Sequence, residues 1–136
     1  MGKQVATNVV FMVNGVDLST YVASVGFSAS VNEVVTTSFG SGGNVERVGG
    51  LRDNSVTVSF MQDFVGASVE NTIYPLIGGT VACELLPNGT AVGTANPKFT
   101  FNAVVLDWQP VNGAVGELFT ADVTWPITGT VAKATA

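Results

Sequence analysis

The sequence has no histidine, a single cysteine and little charge of either sign. Without histidine it cannot form a Ser-His-Asp triad, a Cys-His pair or an imidazole metal site, which removes most hydrolase designs. The lone Cys83 excludes an intrachain disulfide framework, and a buried structural thiol is its expected role. We therefore predict that the protein is not an enzyme and that it binds no cofactor and no metal.

Long hydrophobic runs are also missing, although hydrophobic residues make up 46% of the chain and charged residues only 11%. An average soluble domain is ~25% charged, so a solitary monomer would need more polar groups on its surface. Gly, Ser, Thr, Asn or a charge interrupts every apolar run before the ~18 residues that a membrane helix needs. We therefore expect self-association and no membrane partner.

Acidic residues outnumber basic residues by ten to five, which gives a net charge of -5 and disfavours binding to nucleic acid phosphates. Accidental carboxylate pairs, such as Asp53 with Asp63, could imitate the two acids of a glycosidase. The acids are scattered over turns and strand ends, however, so solvation and turn formation explain them better. The glycine-rich segment Gly40–Gly50 also lacks the Lys and the Ser or Thr that complete a Walker phosphate loop.

Alternation of apolar and polar residues with a period of two dominates the chain and predicts strands. Six segments follow this pattern: Asn8–Val13, Val22–Val31, Ser55–Phe60, Val81–Leu86, Phe99–Trp108 and Phe119–Trp125. In the third, we expect Val56, Val58 and Phe60 to face the core, while the Ser and Thr residues between them form a hydroxyl face. Such a face is mildly polar and would suit burial against another subunit.

Asn-Gly pairs at 14–15, 88–89 and 112–113 predict turns between these strands. The segment Gly66–Gly78 instead spaces its apolar residues as a short helix does, with Ser68 as the candidate N-cap and Pro75 near its end. A single helical turn is also expected at Asp17–Tyr21. We therefore predict one mainly β domain over residues 1–136, a β-sandwich or barrel of about seven or eight strands with one short flanking helix.

The segment Gly40–Gly50 contains five glycines and has no periodic pattern, so we predict a long mobile loop there. We also expect flexible ends at residues 1–6 and 131–136. Such segments can become ordered when they reach a neighbouring subunit. The candidate self-assembly interface therefore consists of Gly40, Ser41, Gly42, Gly43, Asn44, Val45, Glu46, Arg47, Val48, Gly49 and Gly50.

Several short segments occur together in order: Asn14–Val22 (NGVDLSTYV), Val34–Gly40, Gly50–Phe60 (GLRDNSVTVSF) with Gln62-Asp63, and Pro126–Thr130 (PITGT). In their order and spacing they resemble the major tail, or tail tube, protein family of siphophages, particularly those that infect actinobacteria, and the resemblance covers nearly the whole chain. The resemblance implies a β-sandwich or barrel with one flanking helix. It also implies assembly into hexameric rings, which stack into a hollow tube for passage of the genome.

The partners implied by this resemblance are copies of the chain itself, other phage tail proteins at the tube ends, and DNA as cargo. An acidic lumen would repel that DNA and keep it from sticking. The expected location is the tail of the virion. Because the start of the sequence lacks the apolar segment of a secretory signal, we expect synthesis in the host cytoplasm.

Two other functions remain open at this point. A capsid decoration or minor head protein would also be small, β-rich and acidic. A carbohydrate-binding adhesin module would need an exposed aromatic platform, for which Trp108 and Trp125 are the candidates. Packing in the core or at a subunit interface explains the two tryptophans better, because each follows an alternating strand with apolar neighbours.

Overall fold

A computed structural model describes residues 3–66 and 68–135, and these residues form nine strands and one α-helix. The elements are β1 Val10–Val13, β2 Val16–Asp17, β3 Val22–Ser28, β4 Val31–Val35, β5 Arg47–Arg52, β6 Ser55–Met61, α1 Val69–Ile73, β7 Thr80–Leu86, β8 Lys98–Val104 and β9 Thr120–Ala134. Short 3-10 turns lie at Ser19–Tyr21, Phe39–Ser41 and Tyr74–Leu76. The predicted mainly β fold with one short helix is confirmed.

Within the described part of the chain, seven strands form one antiparallel sheet in the order β2-β1-β7-β8-β9-β6-β3. This sheet curls into a half-barrel around the core. Phe27 of β3 stacks on Phe101 of β8 with ring centroids 5.5 Å apart, which brings the edge strand over the middle of the sheet. The remaining pair, β4 and β5, forms a separate two-stranded hairpin.

The alternating pattern of β6 produces the core as predicted. Val56, Val58 and Phe60 are buried, and their neighbours across the ladder on β9 are Trp125, Val123 and Ala121, which are buried as well. The core also takes in Phe11, Leu18, Val81, Cys83, Phe101 and Ile73. One continuous apolar cluster therefore joins both halves of the sheet and the helix.

Strand β9 connects the two halves because it changes partner along its length. Its first half, Thr120–Pro126, pairs with β6, and its second half, Ile127–Ala134, pairs with β8. The change occurs at Pro126, and the backbone bends again at Gly129, which has a φ of 81° that favours glycine. This long strand lets a single sheet curl around the core.

The predicted turns and the helix are confirmed in part. Asn14 and Gly15 have φ values of 54° and 82° and form the two-residue hairpin between β1 and β2. The other two Asn-Gly pairs lie in longer loops, 87–97 and 105–119, that do not close a tight hairpin. Ser68 occupies the N-cap position of α1, but its hydroxyl donates to the Asp63 carbonyl at 2.6 Å instead of accepting from the helix.

Several boundaries differ from the prediction, and the predicted strand Val22–Val31 divides into β3 and the start of β4. The segment Phe99–Trp108 leaves the sheet early, because β8 ends at Val104. The expected flexible end at 131–136 is wrong for Val131–Ala134, which belong to β9 and pair with β8, and Ala136 lies outside the described residues. At the other end, Met1 and Gly2 also lie outside the described residues, and residues 3–6 have no regular structure.

Candidate self-assembly interface

The hairpin of β4 and β5 with its connecting turn, residues 31–52, projects from the half-barrel, and we call it the arm. The structure describes the arm in full, and every residue in it is exposed except Ser41. Its two strands pair with each other through Val34 opposite Val48 and Val35 opposite Arg47. An isolated two-stranded ribbon is only marginally stable in water, so this arm is incomplete as a folded unit.

Three residues at its base join the arm to the sheet. The Asp53 N–H donates to the Ser30 carbonyl at 2.9 Å, which continues the ladder between β3 and β6. The Asn54 side chain is buried and accepts from the Ser30 N–H at 3.3 Å, while its carbonyl accepts from Ile127 at 3.0 Å. The arm therefore leaves the sheet from a hydrogen-bonded base at the end where β3 finishes and β6 starts.

Apolar side chains cover both faces of the arm. Gly49 and Gly50 are consecutive, so a Cβ atom on each would lie on opposite faces of the ribbon. The Val31 side chain covers Gly49, and the Val34 side chain covers Gly50. Val31, Val34, Val35, Val48 and Leu51 are 45% to 80% exposed. A ribbon that carries apolar groups on both faces, with neither face covered, is suited to insertion against another molecule.

The tip of the arm is an ordered turn. The Ser38 N–H donates to Ser41 Oγ at 2.9 Å, and the Ser41 N–H donates to the Ser38 carbonyl at 3.0 Å. Gly42 and Gly43 follow with φ values of 65° and 82°, which only glycine adopts readily. This turn holds Phe39 at the tip with its side chain fully exposed, at 109% of its reference area.

The predicted interface residues therefore lie together on the arm, but not in one loop. Gly40 and Ser41 belong to the tip turn, residues 42–46 return from it, and Arg47–Gly50 form most of β5. The prediction of a loop is wrong for these last four residues. Sequence reasoning missed Phe39, Val31 and Leu51, although an aromatic residue directly before a glycine-rich segment was a signal for an exposed contact.

The predicted hydroxyl face lies on the outer side of β3, β6 and β9. Ser24, Ser59 and Asp122 are successive neighbours across the three strands, and Ser59 Oγ donates to Asp122 Oδ1 at 2.6 Å. Thr57 and Thr124 lie in the next row, with their hydroxyls 3.3 Å apart. The face therefore carries small side chains, and its polar groups are partly satisfied by hydrogen bonds to one another.

The outer edge of β3 is a second uncovered feature of this sheet. Within the described residues β3 pairs only with β6, so its other edge carries unpaired backbone groups along Val22–Ser28. This strand contains no charged residue and no proline, the features that usually protect an edge from pairing with another chain. A cleft of about 420 Å³ runs beside it, between β3 and residues 6–9. The edge is open to an added strand.

Several exposed apolar side chains lie at the end of β6 and β9 opposite the arm base, and we call this set the far-end patch. It lies on the loops that follow β6 and precede β9, and consists of Phe64, Val65, Val111, Val115, Leu118 and Phe119. The rings of Phe64 and Phe119 contact edge to face with centroids 6.3 Å apart. Val115 is fully exposed, at 105% of its reference area.

Both tryptophans lie inside the protein, as predicted. Trp125 is fully buried and its indole N–H donates to the Asp107 carbonyl at 3.1 Å. Trp108 is 9% exposed and donates to Glu70 Oε1 at 2.8 Å, an oxygen that also accepts from Gln62 Nε2 at 2.9 Å. These two side chains therefore hold α1 and the loops against the sheet and do not form a surface platform.

The remaining groups considered for chemistry lie apart from one another. Asp53 precedes β6 and Asp63 follows it, so a strand of ~20 Å separates the two acids and they cannot act on one glycosidic bond. Cys83 is buried between strands, and burial raises the pKa of its thiol from 9.0 to about 12, with a smaller opposing effect of a hydrogen bond from Ala103. Among the described residues, no three acids or cysteines gather as metal ligands.

In residues 3–66 and 68–135, no helix is long and apolar enough to cross a membrane. Comparison of the sequence with protein-family models and with curated proteins finds no match in either case. Function must therefore be inferred from the exposed surfaces of the chain and from the resemblance of its short segments.

Proposed function

We propose that this protein is a structural subunit that assembles with copies of itself, and that the assembly is the tail tube of a siphophage virion. The observation that carries the proposal is the arm: a ribbon of 22 residues whose apolar faces and Phe39 tip find no cover in the part of the chain that the structure describes. A monomer would gain nothing from exposing this surface, whereas a subunit would bury it at each contact.

Three of the segments that resemble the tail tube family support the proposal, because they form the turn between β1 and β2, the base of the arm and the bend of β9. Asn14–Val22 forms the tight hairpin turn and the 3-10 turn that follows it, and Gly50–Phe60 runs from the arm base into the central strand β6. Pro126–Thr130 forms the bend of β9. At such turns and bends, a given fold restricts which residues the sequence can carry.

The open edge of β3 supports lateral contact between subunits in a ring. Strand pairing across that edge would satisfy its unpaired backbone groups and extend the sheet from one subunit to the next. The hydroxyl face then continues from copy to copy, and its two central rows carry one carboxylate, Asp122, and no basic residue. Such a wall would let DNA pass without binding it.

Electron microscopy and sedimentation velocity of the purified protein over a range of concentrations test this proposal. Hollow tubes or rings of constant diameter are the expected result, and the tubes should not retard double-stranded DNA in a gel at physiological salt. A single monomeric species at every concentration would overturn the proposal. Small oligomers that bind only phage capsids would instead assign the protein to capsid decoration.

A further inference from the structure

The three Asn-Gly pairs of the chain are all capable of one reaction, in which the glycine nitrogen attacks the side-chain amide of the asparagine before it. Glycine favours this attack because it has no Cβ atom to hinder it. The nitrogen bonds to Cγ and gives its proton to solvent, the Cγ–Nδ2 bond breaks, and the amide takes a proton from solvent to leave as ammonia. Water then opens the five-membered succinimide ring at either carbonyl, which gives aspartate or isoaspartate.

The turn between β1 and β2 holds Asn14 in a backbone conformation that opposes this reaction. Its φ of 54° lies in the left-handed region, where ψ is about +30° to +60°. At such ψ values the Gly15 nitrogen points away from the Asn14 Cβ, whereas ring closure needs it on the same side. The Asn14 N–H also donates to the Ala82 carbonyl at 2.7 Å, and Val13 pairs with Val16 across the turn. Rotation into the reactive conformation would break this hairpin.

Hydrogen bonds restrain the side chain of Asn112. Its Nδ2 donates to Gln109 Oε1 at 3.0 Å and to the Thr120 carbonyl at 3.2 Å, so both protons of the leaving group are held by protein acceptors. The Asn112 carbonyl accepts from the Thr120 N–H at 3.1 Å. A Cβ atom on Gly113 would lie 2.9 Å from the Phe119 ring, so the glycine has little room to move. Several contacts must therefore break before the ring can close.

Asn88 differs from the other two asparagines in the surroundings of its side chain. Its φ is not positive, and among the described residues neither its Nδ2 nor the Gly89 N–H makes a hydrogen bond. Its Oδ1 accepts from Asn8 Nδ2 at 3.4 Å, and a Cβ atom on Gly89 would lie 2.9 Å from that same nitrogen. A donor at this position stabilises the negative charge that develops on Oδ1 during the attack.

We propose that Asn88-Gly89 is the site at which the folded protein is modified by deamidation, with the Asn8 amide as the donor that activates it. This inference is independent of the function proposed above. Identical dipeptides stand at 14–15 and 112–113, so the sequence motif marks all three pairs equally. Only the fold distinguishes them, and the selectivity between the pairs is therefore a property of the structure.

Asn96 links this modification to the local structure. Its side chain is buried, accepts from the Asn88 N–H at 3.0 Å and donates to the Asn88 carbonyl at 2.9 Å. Isoaspartate carries the main chain through Cβ and Cγ, so the carbonyl that accepts from Asn96 leaves the main chain as a carboxylate. Loop 87–97 also holds the N-terminal segment, since Gln4 Nε2 donates to the Ala95 carbonyl at 3.2 Å. Modification should therefore loosen both the loop and that segment.

Peptide mapping of the folded protein during incubation at pH 8 and 37 °C tests the selectivity. Trypsin places the three pairs in separate peptides, 4–47, 53–98 and 99–133, and electron-transfer fragmentation distinguishes aspartate from isoaspartate. Asn88 should react at least about tenfold faster than Asn14 or Asn112. In concentrated urea the three pairs should react at similar rates, because unfolding removes the differences in their surroundings.

Two variants test the donor and the structural consequence. Asn8→Ala removes the donor and should slow the reaction at Asn88 by about tenfold, as expected for loss of one hydrogen bond to a charged group, while the rates at Asn14 and Asn112 stay unchanged. Asn88→Gln is the matched control, because glutamine would have to close a less favourable six-membered ring. Hydrogen exchange in loop 87–97 should become faster during incubation of wild type and stay constant in Asn88→Gln.

Other outcomes would overturn the proposal in defined ways. Equal rates at the three pairs in the folded protein, or a faster reaction at Asn14 or Asn112, would show that the site is wrong. So would a folded protein in which Asn88 stays intact while the unfolded chain reacts. An unchanged or higher rate at Asn88 in Asn8→Ala would exclude Asn8 as the activating donor. Constant hydrogen exchange despite isoaspartate at residue 88 would exclude the loosening of the loop.

Discussion

Gly49 and Gly50 have a packing role in the arm. A Cβ atom on Gly50 would lie 2.7 Å from Val34 Cγ2 and 3.2 Å from the Asn32 carbonyl oxygen, and one on Gly49 would lie 3.2 Å from Val31 Cγ1. The valine side chains of β4 therefore fold over the glycines of β5. The arm is held together by this contact and its ladder hydrogen bonds, together with the Glu33–Arg47 ion pair at 3.0 Å.

Gly50→Ala should open the arm without unfolding the half-barrel. The added methyl group collides with a β-branched side chain and with backbone, which costs roughly 1–3 kcal/mol in the arm alone. Hydrogen exchange of peptides from residues 31–52 should become faster, while exchange in β6 and the melting temperature remain unchanged. Gly26→Ala is the control, because a Cβ there meets nothing within 4 Å. Equal exchange in both variants would contradict this account of the arm.

Cys83 should make the stability of the fold depend on alkaline pH. The folded protein raises the pKa of the thiol from 9.0 to about 12 because the thiolate would be buried, so the unfolded chain loses this proton first. The stabilisation is complete below pH 9 and is lost as the pH rises toward 12, by about 1.4 kcal/mol per pH unit. Urea unfolding of wild type and Cys83→Ala between pH 7 and 11 measures this contribution of the thiol to the free energy of unfolding. Parallel curves for the two proteins would show that the thiol does not contribute.

Among the elements, the arm is separable from the rest of the sheet. Its strands pack on each other, and the backbone at its base is already closed by the hydrogen bond from Asp53 to Ser30. Deleting only residues 41–49 would remove half of β5 and leave most of β4 without a partner. Removal of the whole arm is the cleaner test of its role.

Replacing residues 31–52 with Asn-Gly should leave a folded protein that cannot form tubes, although the edge of β3 remains available for lateral contacts. Ser30 and Asp53 are already paired as the residues that flank a two-residue hairpin turn, and Asn-Gly favours that turn. We expect the free energy of unfolding to change by less than about 1 kcal/mol, since the arm contributes no core residue. Circular dichroism and urea unfolding check the fold, and sedimentation checks assembly. Tubes from this variant would exclude the arm as an assembly element.

Strands whose apolar and polar residues alternate because one face lies on the core could be predicted from the sequence. Strands without that alternation, such as β5 of the arm, could not. β6 alternates because Val56 and Val58 face one core, so its bounds were nearly correct. The arm has apolar residues on both faces, so no period of two marks β5, and its glycines suggested a loop. β9 continues past Pro126 and Gly129, residues that normally end a strand, because its pairing changes there from β6 to β8.

The residues predicted as the self-assembly interface lie together on one exposed hairpin, because a glycine-rich segment without a period signals an unusual backbone. Its composition could not be predicted in full. Phe39 and Leu51 gain their role from the direction in which the arm exposes them, and the far-end patch combines two loops that lie more than forty residues apart in the chain. Which distant loops meet at one end of the sheet is determined by the strand order, which the sequence pattern does not reveal.

At the scale of the whole molecule, low charge and exposed apolar surfaces point to one driving force for assembly. The arm and the far-end patch expose aliphatic and aromatic groups, while charged residues are only 11% of the chain. Burial of apolar surface is driven by entropy near room temperature and weakens on cooling. The temperature dependence of assembly therefore distinguishes an apolar contact from one dominated by ion pairs or hydrogen bonds.

Assembly should accordingly be favoured by warming from 4 °C to 37 °C, with a negative heat-capacity change. Light scattering of wild type at a fixed concentration should rise on warming and fall again on cooling, and calorimetric dilution at several temperatures should give the heat-capacity change. The variant that carries Asn-Gly in place of residues 31–52 should show a much smaller change in scattering over the same range. Assembly that strengthens on cooling would mean that polar contacts dominate, and the hydroxyl face with Ser59 and Asp122 would then be the surface to test by substitution.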